Sequence, residues 1–289
     1  MSDFLQLSFA GVSQGAVYAL IAIGFVAIFT VSGVINLVQG EFAALAGLIA
    51  ISAARSGLPL LAAVVLAVAS VAIAAVLVER LTIRPVRAMT TLTSLIVTLG
   101  VSTALKALML LVWGPDAEGL APFTAGGFDV GGVNIRWQDV WILVVASIVA
   151  AMVYVFYDRT VPGKALRACA EQPVAARLVG ISLGRASLAS FLVAGVVGAT
   201  AGVLASPVYF TSWESGLTLG LKGFVAATLG GLVSIRGAVL GGVLLGVLES
   251  LTAGYVDSGL RDAVAFVVLI VVLVVRPGGV FGRHAEARV

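Results

Sequence analysis

Few residues of this 289-residue chain could do chemistry within the apolar runs that make up most of it. Lys222 lies about five residues into one such run, and Glu249 about four residues from the same-side end of the next. At a rise of ~1.5 Å per residue, both stand roughly 6–8 Å below one surface. Equal depth on antiparallel neighbours permits an ion pair. A lone charge at mid-membrane costs on the order of 3 kcal/mol, which pairing or water offsets. Two readings stay open for Lys222 and Glu249: a cavity-lining pair on a solute route, or a structural pair or snorkelling charges. Lys106, in the outer half of its run, can snorkel along its methylenes. Glu79 and Arg80 fall at a helix end, where charges are ordinary. Glu41 opens a short helix, whose positive dipole end favours a carboxylate.

Other chemistries are excluded. No Gly-x-x-x-x-Gly-Lys-Ser/Thr loop is present, so the chain does not bind ATP in that manner. No His-Glu-x-x-His or paired-cysteine site exists, which removes metal-assisted hydrolysis and any resident metal. The one histidine, His284, lies in the polar tail and cannot serve an acid–base site within the membrane. The one cysteine, Cys169, excludes an internal disulfide and reads as a small packing residue.

The elements around these residues are membrane helices. The chain is 61% hydrophobic and 11% charged, with a mean hydropathy of +1.15; soluble domains carry about 25% charged residues. The expected fold is all-α and polytopic. Apolar runs near 9–31, 40–54, 59–78, 92–113, 139–157, 187–206, 217–234, 238–253 and 260–275 give about eight to nine spans, some short or broken. The runs 40–54 and 238–253 are the short ones. No cofactor is expected, and the net charge of +3 needs no nucleic acid to explain it. The opening Met1-Ser2-Asp3 lacks the basic start of a signal peptide.

Orientation follows from Lys/Arg asymmetry in the loops. Loop 79–91 carries Arg80, Arg84 and Arg87, loop 158–186 carries Arg159, Lys164, Arg167, Arg177 and Arg185, and the tail carries Arg276, Arg283 and Arg288. These three are expected inside. Connection 114–138, with Asp116, Glu118 and Asp129 against Arg136, and 207–216, with Glu214, are expected outside. Nine full spans would put the N-terminus outside; a re-entrant segment around 32–54 would put it inside, and the polar, glycine-flanked Ser32–Glu41 stretch favours the broken form. Such backbone is tolerated at membrane depth only where protein buries it or it lines a cavity. It therefore points to a translocation route, although a plain loop hairpin reads equally well.

Glycines supply the packing. Gly237, Gly241, Gly242 and Gly246 form small-residue pairs one turn apart, joined by Gly198 and Gly202, which fits close helix contact. In loop 158–186, Ala175 and Ala176 followed by Gly180 would let a short helix enter a groove on another protein and then stop. An ordinary loop helix lying on lipid headgroups fits the same composition.

Several stretches resemble one family along nearly the whole chain. They are Gly15–Gly24, Ile35–Phe42, Glu79-Arg80 with Arg84-Pro85-Val86-Arg87, Gly163–Ala168, Arg276–Gly282 and, most specifically, Gly220–Gly231. Together they are similar to permease subunits of the branched-chain amino-acid ABC importers. Relatives often have an Ile-Asn-Phe-Ala-His-Gly-Glu pattern at the second stretch; here Gln39 stands at the histidine. The resemblance implies an ABC-importer permease fold forming one membrane domain, 1–289, in a bacterial inner membrane. It implies that Ala175, Ala176, Arg177 and Gly180 belong to a loop, 158–186, that docks on an ATPase. Val174 stands where the general importer motif has glutamate, which removes its acidic handle. Asn36, Gln39, Glu41, Lys222 and Glu249 become candidates for the translocation path. The implied partners are two ATP-binding subunits, a second related permease, an extracellular or periplasmic solute-binding protein and membrane lipid. ATP hydrolysis would belong to the partners, and this chain would carry branched-chain amino acids by alternating access. The same family also serves urea and short amides. An ion-coupled secondary carrier using Lys222 and Glu249, and a membrane scaffold, are the readings from other classes.

Overall fold

The computed structural model describes residues 2–86, 90–276 and 278–279. Arg87, Arg283, His284 and Arg288 lie outside the described residues, as does most of the closing stretch from Pro277. The helices are α1 (Ser2–Ser32), α2 (Gln39–Arg55), α3 (Leu60–Val78), α4 (Thr91–Trp113), α5 (Trp137–Arg159), α6 (Val161–Glu171), α7 (Pro173–Leu178), α8 (Leu183–Ala205), α9 (Ser215–Gly230), α10 (Ile235–Tyr255) and α11 (Arg261–Val275). A π-turn, Glu79–Ile83, continues α3, and a 3₁₀ turn, Ser258–Leu260, precedes α11. Between α4 and α5 runs a small antiparallel hairpin, β1 (Gly127–Val130) with β2 (Val133–Arg136). The protein is all-α and polytopic.

Seven of these helical stretches are long and apolar enough to cross a membrane. The last of them counts α11 together with the 3₁₀ turn before it, Ser258–Val275; outside the seven, α2 with 17 residues and α9 with 16 are short. They reach roughly 24–26 Å against a hydrocarbon core of ~30 Å. The run 238–253, expected to be short, belongs instead to the 21-residue α10. Ser234 caps that helix by accepting from the Gly237 N–H at 3.1 Å and so extends it backward. The neighbouring run 217–234 is the truncated one. It stops at Gly230 because Gly231 takes a left-handed φ of 86° and turns the chain into α10.

α1 is the central helix, most of it buried. It runs antiparallel to α10, and glycines make their approach possible: a Cβ at Gly15 would stand 2.6 Å from the Gly242 carbonyl, and one at Gly242 2.5 Å from the Ala19 nitrogen. Gly237 and Gly241, on another face of α10, meet Gly230 and Ala226 of α9. One helix thus grips two neighbours with alternate small residues. Gly198 and Gly202 do not join this seam; they pack on Gln39, Phe42 and Ala43 of α2.

The broken segment keeps the direction of travel. α2 starts beside Gly24 and Gly198, inside α1 and α8 and away from their inner ends, and finishes with Arg55 paired to Glu118 of the 114–136 connection. It therefore completes a crossing that residues 33–38 begin. At the other end of α1, Leu7 packs on Gly254 and Ser13 bonds Asp139 at the start of α5. The N-terminal end thus lies on the same face as 114–136, the acidic face taken as outer. The segment is both broken and spanning, so the expectation of an inside N-terminus is corrected.

Candidate translocation and coupling sites

Residues 33–38 form the break. Gly33 ends α1 with a φ of 67°, and Ser32 Oγ accepts from the Val34 N–H at 3.3 Å. Asn36 then folds back on the chain: its Oδ1 accepts from Val38 N–H at 3.2 Å, a local turn that starts α2. Thr98 Oγ1 of α4 donates to the Ile35 carbonyl at 3.2 Å. Gln39 donates from Nε2 to the Ala194 carbonyl of α8 at 3.0 Å. It sits where only glycine fits on α8, since a Cβ at Gly198 would stand 2.7 Å from that Nε2. Glu41 Oε1 accepts from Ser102 Oγ at 2.9 Å and lies 3.7 Å from Lys106 Nζ. Lys106 is thus the cation that a carboxylate at membrane depth requires, rather than a side chain free to snorkel. Asn36 Nδ2, Gln39 Oε1 and Glu41 Oε2 are buried without a partner among the described residues. A polar seam with open valences therefore crosses the middle of the chain.

Lys222 and Glu249 meet in the outer half. Lys222 Nζ is 3.1 Å from Glu249 Oε2 and 2.7 Å from Asp262 Oδ1, and lies 5.5 Å from the Tyr18 ring centroid. Glu249 Oε2 also accepts from Gln14 Nε2 and Tyr18 OH, both at 2.8 Å, and stands 3.7 Å from Arg261 Nε. Arg261 further donates to Gln14 Oε1 and to Tyr209 OH. Burial raises the Tyr209 hydroxyl above its ordinary range, which keeps it protonated. A pocket of about 310 Å³ opens beside this network, lined by Ser13, Arg136, Asp139 and Arg261 among others. Its salt bridge, Arg136 to Asp139 at 2.8 Å, holds the Arg136 guanidinium above its usual range.

A larger cavity, about 1140 Å³, opens on the arginine-rich inner face. The inner ends of α1, α5, α8 and α10 wall it, together with the π-turn and α6. Arg167 of α6 pairs with Asp158 at 3.2 Å on its rim, and Arg236 of α10 stacks on Tyr154 with 4.6 Å to the ring centroid.

The loop 158–186 folds as two short helices. Thr160 caps α6 by accepting from the Gly163 N–H at 3.1 Å, and Pro162 suits the first turn. Gly163, Leu166 and Cys169 recur every third residue and turn inward, while Lys164 and Arg167 face out. Gly180, with a φ of 86°, ends the run after α7, and the Ile181 N–H reaches back to the Ala176 carbonyl at 2.9 Å. This is a glycine-stopped helix end. The four residues expected to dock together divide. Ala176 is 3% exposed and packs on its own chain, whereas Ala175, Arg177 and Gly180 are exposed beside Val174, Leu178 and Val179. Ala176 is the one residue of α7 buried against the chain; the other five are exposed.

Sequence reasoning missed Gln14, Tyr18, Arg261 and Asp262 as members of the Glu249 network, and Glu79 as a buried group on the cavity wall. Gln14 and Tyr18 stand four apart on one face of α1, which is a signal for a polar stripe in an apolar helix.

Residues 7–273 match the family described as branched-chain amino acid transport system, permease component. The chain is 34% identical over 303 residues to the high-affinity branched-chain amino acid transport system permease protein LivH of Salmonella typhimurium, covering 99% of this chain and 98% of that one. It is likewise 34% identical over 301 residues to the corresponding permease protein BraD of Pseudomonas aeruginosa, with 99% and 98% covered. Among solved structures, PsaBC from Streptococcus pneumoniae in complex with Fab shares the fold, with a TM-score of 0.53 and 12% identity over 95% of this chain and 92% of that one. The chain therefore belongs to the permease-component family of branched-chain amino acid transport systems.

Proposed function

We propose that this chain is the membrane-spanning subunit of an ATP-driven importer in a bacterial inner membrane, passing leucine, isoleucine and valine by alternating access. It would act as one membrane domain with two ATP-binding subunits, a second related permease and a solute-binding protein. The observation that carries this reading is the build of the inner cavity. Arg167, Cys169 and Glu171 of α6 and Pro173 of α7 form part of its wall. A pull on the loop 158–186 by an ATPase would therefore move the cavity wall itself. In this reading Ala175, Arg177 and Gly180 contact the ATPase and Ala176 anchors their helix. Asn36, Gln39 and Glu41 line the middle of the solute route, and Lys222 and Glu249 brace its outer end.

The test is uptake by proteoliposomes holding the assembled importer and its binding protein. ATP-dependent accumulation of radiolabelled leucine, competed by isoleucine and valine, supports the reading. Competition by urea or acetamide alone would assign the same machinery to small amides.

A further inference from the structure

The wall of the inner cavity contains a buried carboxylate, Glu79, with no ion pair among the described residues. Residues 63, 67, 71, 75, 79 and 83 recur every fourth position along α3 and the π-turn, and all are buried. They form one ridge against α8, where a Cβ at Gly195 would stand 2.6 Å from Ala75 Cβ. Every member of the row is Ala, Val or Ile except Glu79. That side chain is 1% exposed, and its Oε2 has no hydrogen-bond partner among the described residues. It reaches no cation within ion-pair distance there, and it lines the cavity of about 1140 Å³. The π-turn, closed by the Arg84 N–H donating to the Glu79 carbonyl at 2.8 Å, begins at this residue. Such turns are frequent at functional sites.

A buried carboxylate is costly unless a cation joins it. Of the other charges on the cavity, Arg167 pairs with Asp158 and Arg236 meets Tyr154, while Arg84 and Glu171 are exposed at its edge. Among the described residues no cation lies within ion-pair distance of Glu79, and a group that binds it must be small enough to enter the cavity and polar enough to bond the carboxylate. An α-ammonium group has that size, that charge and three donors. The geometry points to Glu79 as the anchor for the ammonium group of the transported amino acid on the inner side of the membrane. This rests on the importer reading above, which supplies the solute.

The experiment uses the complex of both permeases with both ATPases, free of nucleotide and of binding protein. Equilibrium binding of radiolabelled leucine is competed with isoamylamine, which keeps the ammonium group, and with 4-methylpentanoate, which keeps only the carboxylate. Competition by the amine and not by the acid is expected. Glu79→Gln, which keeps shape and loses charge, should weaken leucine binding about tenfold or more, and Glu79→Asp should recover part of it. Competition by the acid alone overturns the assignment without any variant having to fold. So does wild-type leucine import with no binding to the nucleotide-free complex, or with binding that Glu79→Gln leaves unchanged. Absence of ATP-driven leucine import in the wild type overturns the importer reading itself, and this inference with it.

Discussion

Lys222 and Glu249, 27 residues apart on α9 and α10, hold their charged atoms 3.1 Å from each other in a site that excludes water from the carboxylate. Neither is in a simple pair. Lys222 also meets Asp262, and Glu249 meets Gln14, Tyr18 and Arg261.

That network sets the outcome of mutation. Removing one partner leaves the other with a second ion pair, Asp262 for Lys222 and Arg261 for Glu249, so the loss should stay below the roughly 3–5 kcal/mol of an uncompensated buried charge. Lys222→Met should cost more than Glu249→Gln, because Glu249 is fully buried and its remaining cation stands 3.7 Å away, and the double variant should lose less than the sum of the two. Exchanging the two charges should not rescue, because a glutamate at 222 would face Asp262 and a lysine at 249 would face Arg261. Double-mutant cycles on thermal unfolding measure this; additive losses would mean that the two residues do not interact.

Close helix contact predicts a sharp contrast between glycines. Gly242→Ala places a methyl 2.5 Å from the Ala19 nitrogen, and overpacking there should cost about 1–3 kcal/mol. Gly184→Ala meets nothing within 4 Å and should be neutral or slightly stabilising. Melting temperatures in detergent compare the two, and equal values would refute the packing.

Those glycines mark what sequence could and could not deliver. Small-residue spacing foretold tight contacts, and matched depth foretold that Lys222 and Glu249 could meet. The partner faces were not readable, because Gly198 and Gly202 share the spacing of the α10 glycines yet pack on α2. Glu79 looked like a helix-end charge because burial is invisible locally. The row of fourth residues from Ala63 placed it on the buried face, once α3 was known to continue through a π-turn. Ala175 and Ala176 are chemically alike, so only the fold could tell which one faces outward.

Docking on an ATPase therefore separates two substitutions. Ala175→Glu should insert normally and abolish ATP-driven transport, since the exposed side chain takes no part in the chain's own packing. Ala176→Glu should reduce folded protein as well, because it buries an unpaired charge. Membrane yield and uptake are measured side by side; normal transport by Ala175→Glu would remove α7 from the coupling contact.

Thiol labelling checks the topology. Cysteines placed at 116–134 and at Leu5 should react with an impermeant maleimide from outside, and those at 159–185 should not. The native Cys169 is a quiet background: burial raises its thiol above the usual range, so less thiolate is present at any given pH. Its labelling should be negligible at neutral pH and rise as the pH is raised. Outside labelling at 159–185 would invert the orientation.

The most direct test of the whole account is the energy source. Proteoliposomes are prepared with this chain alone and with the chain plus its second permease, ATPases and binding protein, and leucine uptake is followed under ATP or under an imposed proton or sodium gradient. Accumulation only in the complete assembly and only with ATP is the predicted result. Gradient-driven accumulation by the chain alone would contradict it and identify a secondary carrier.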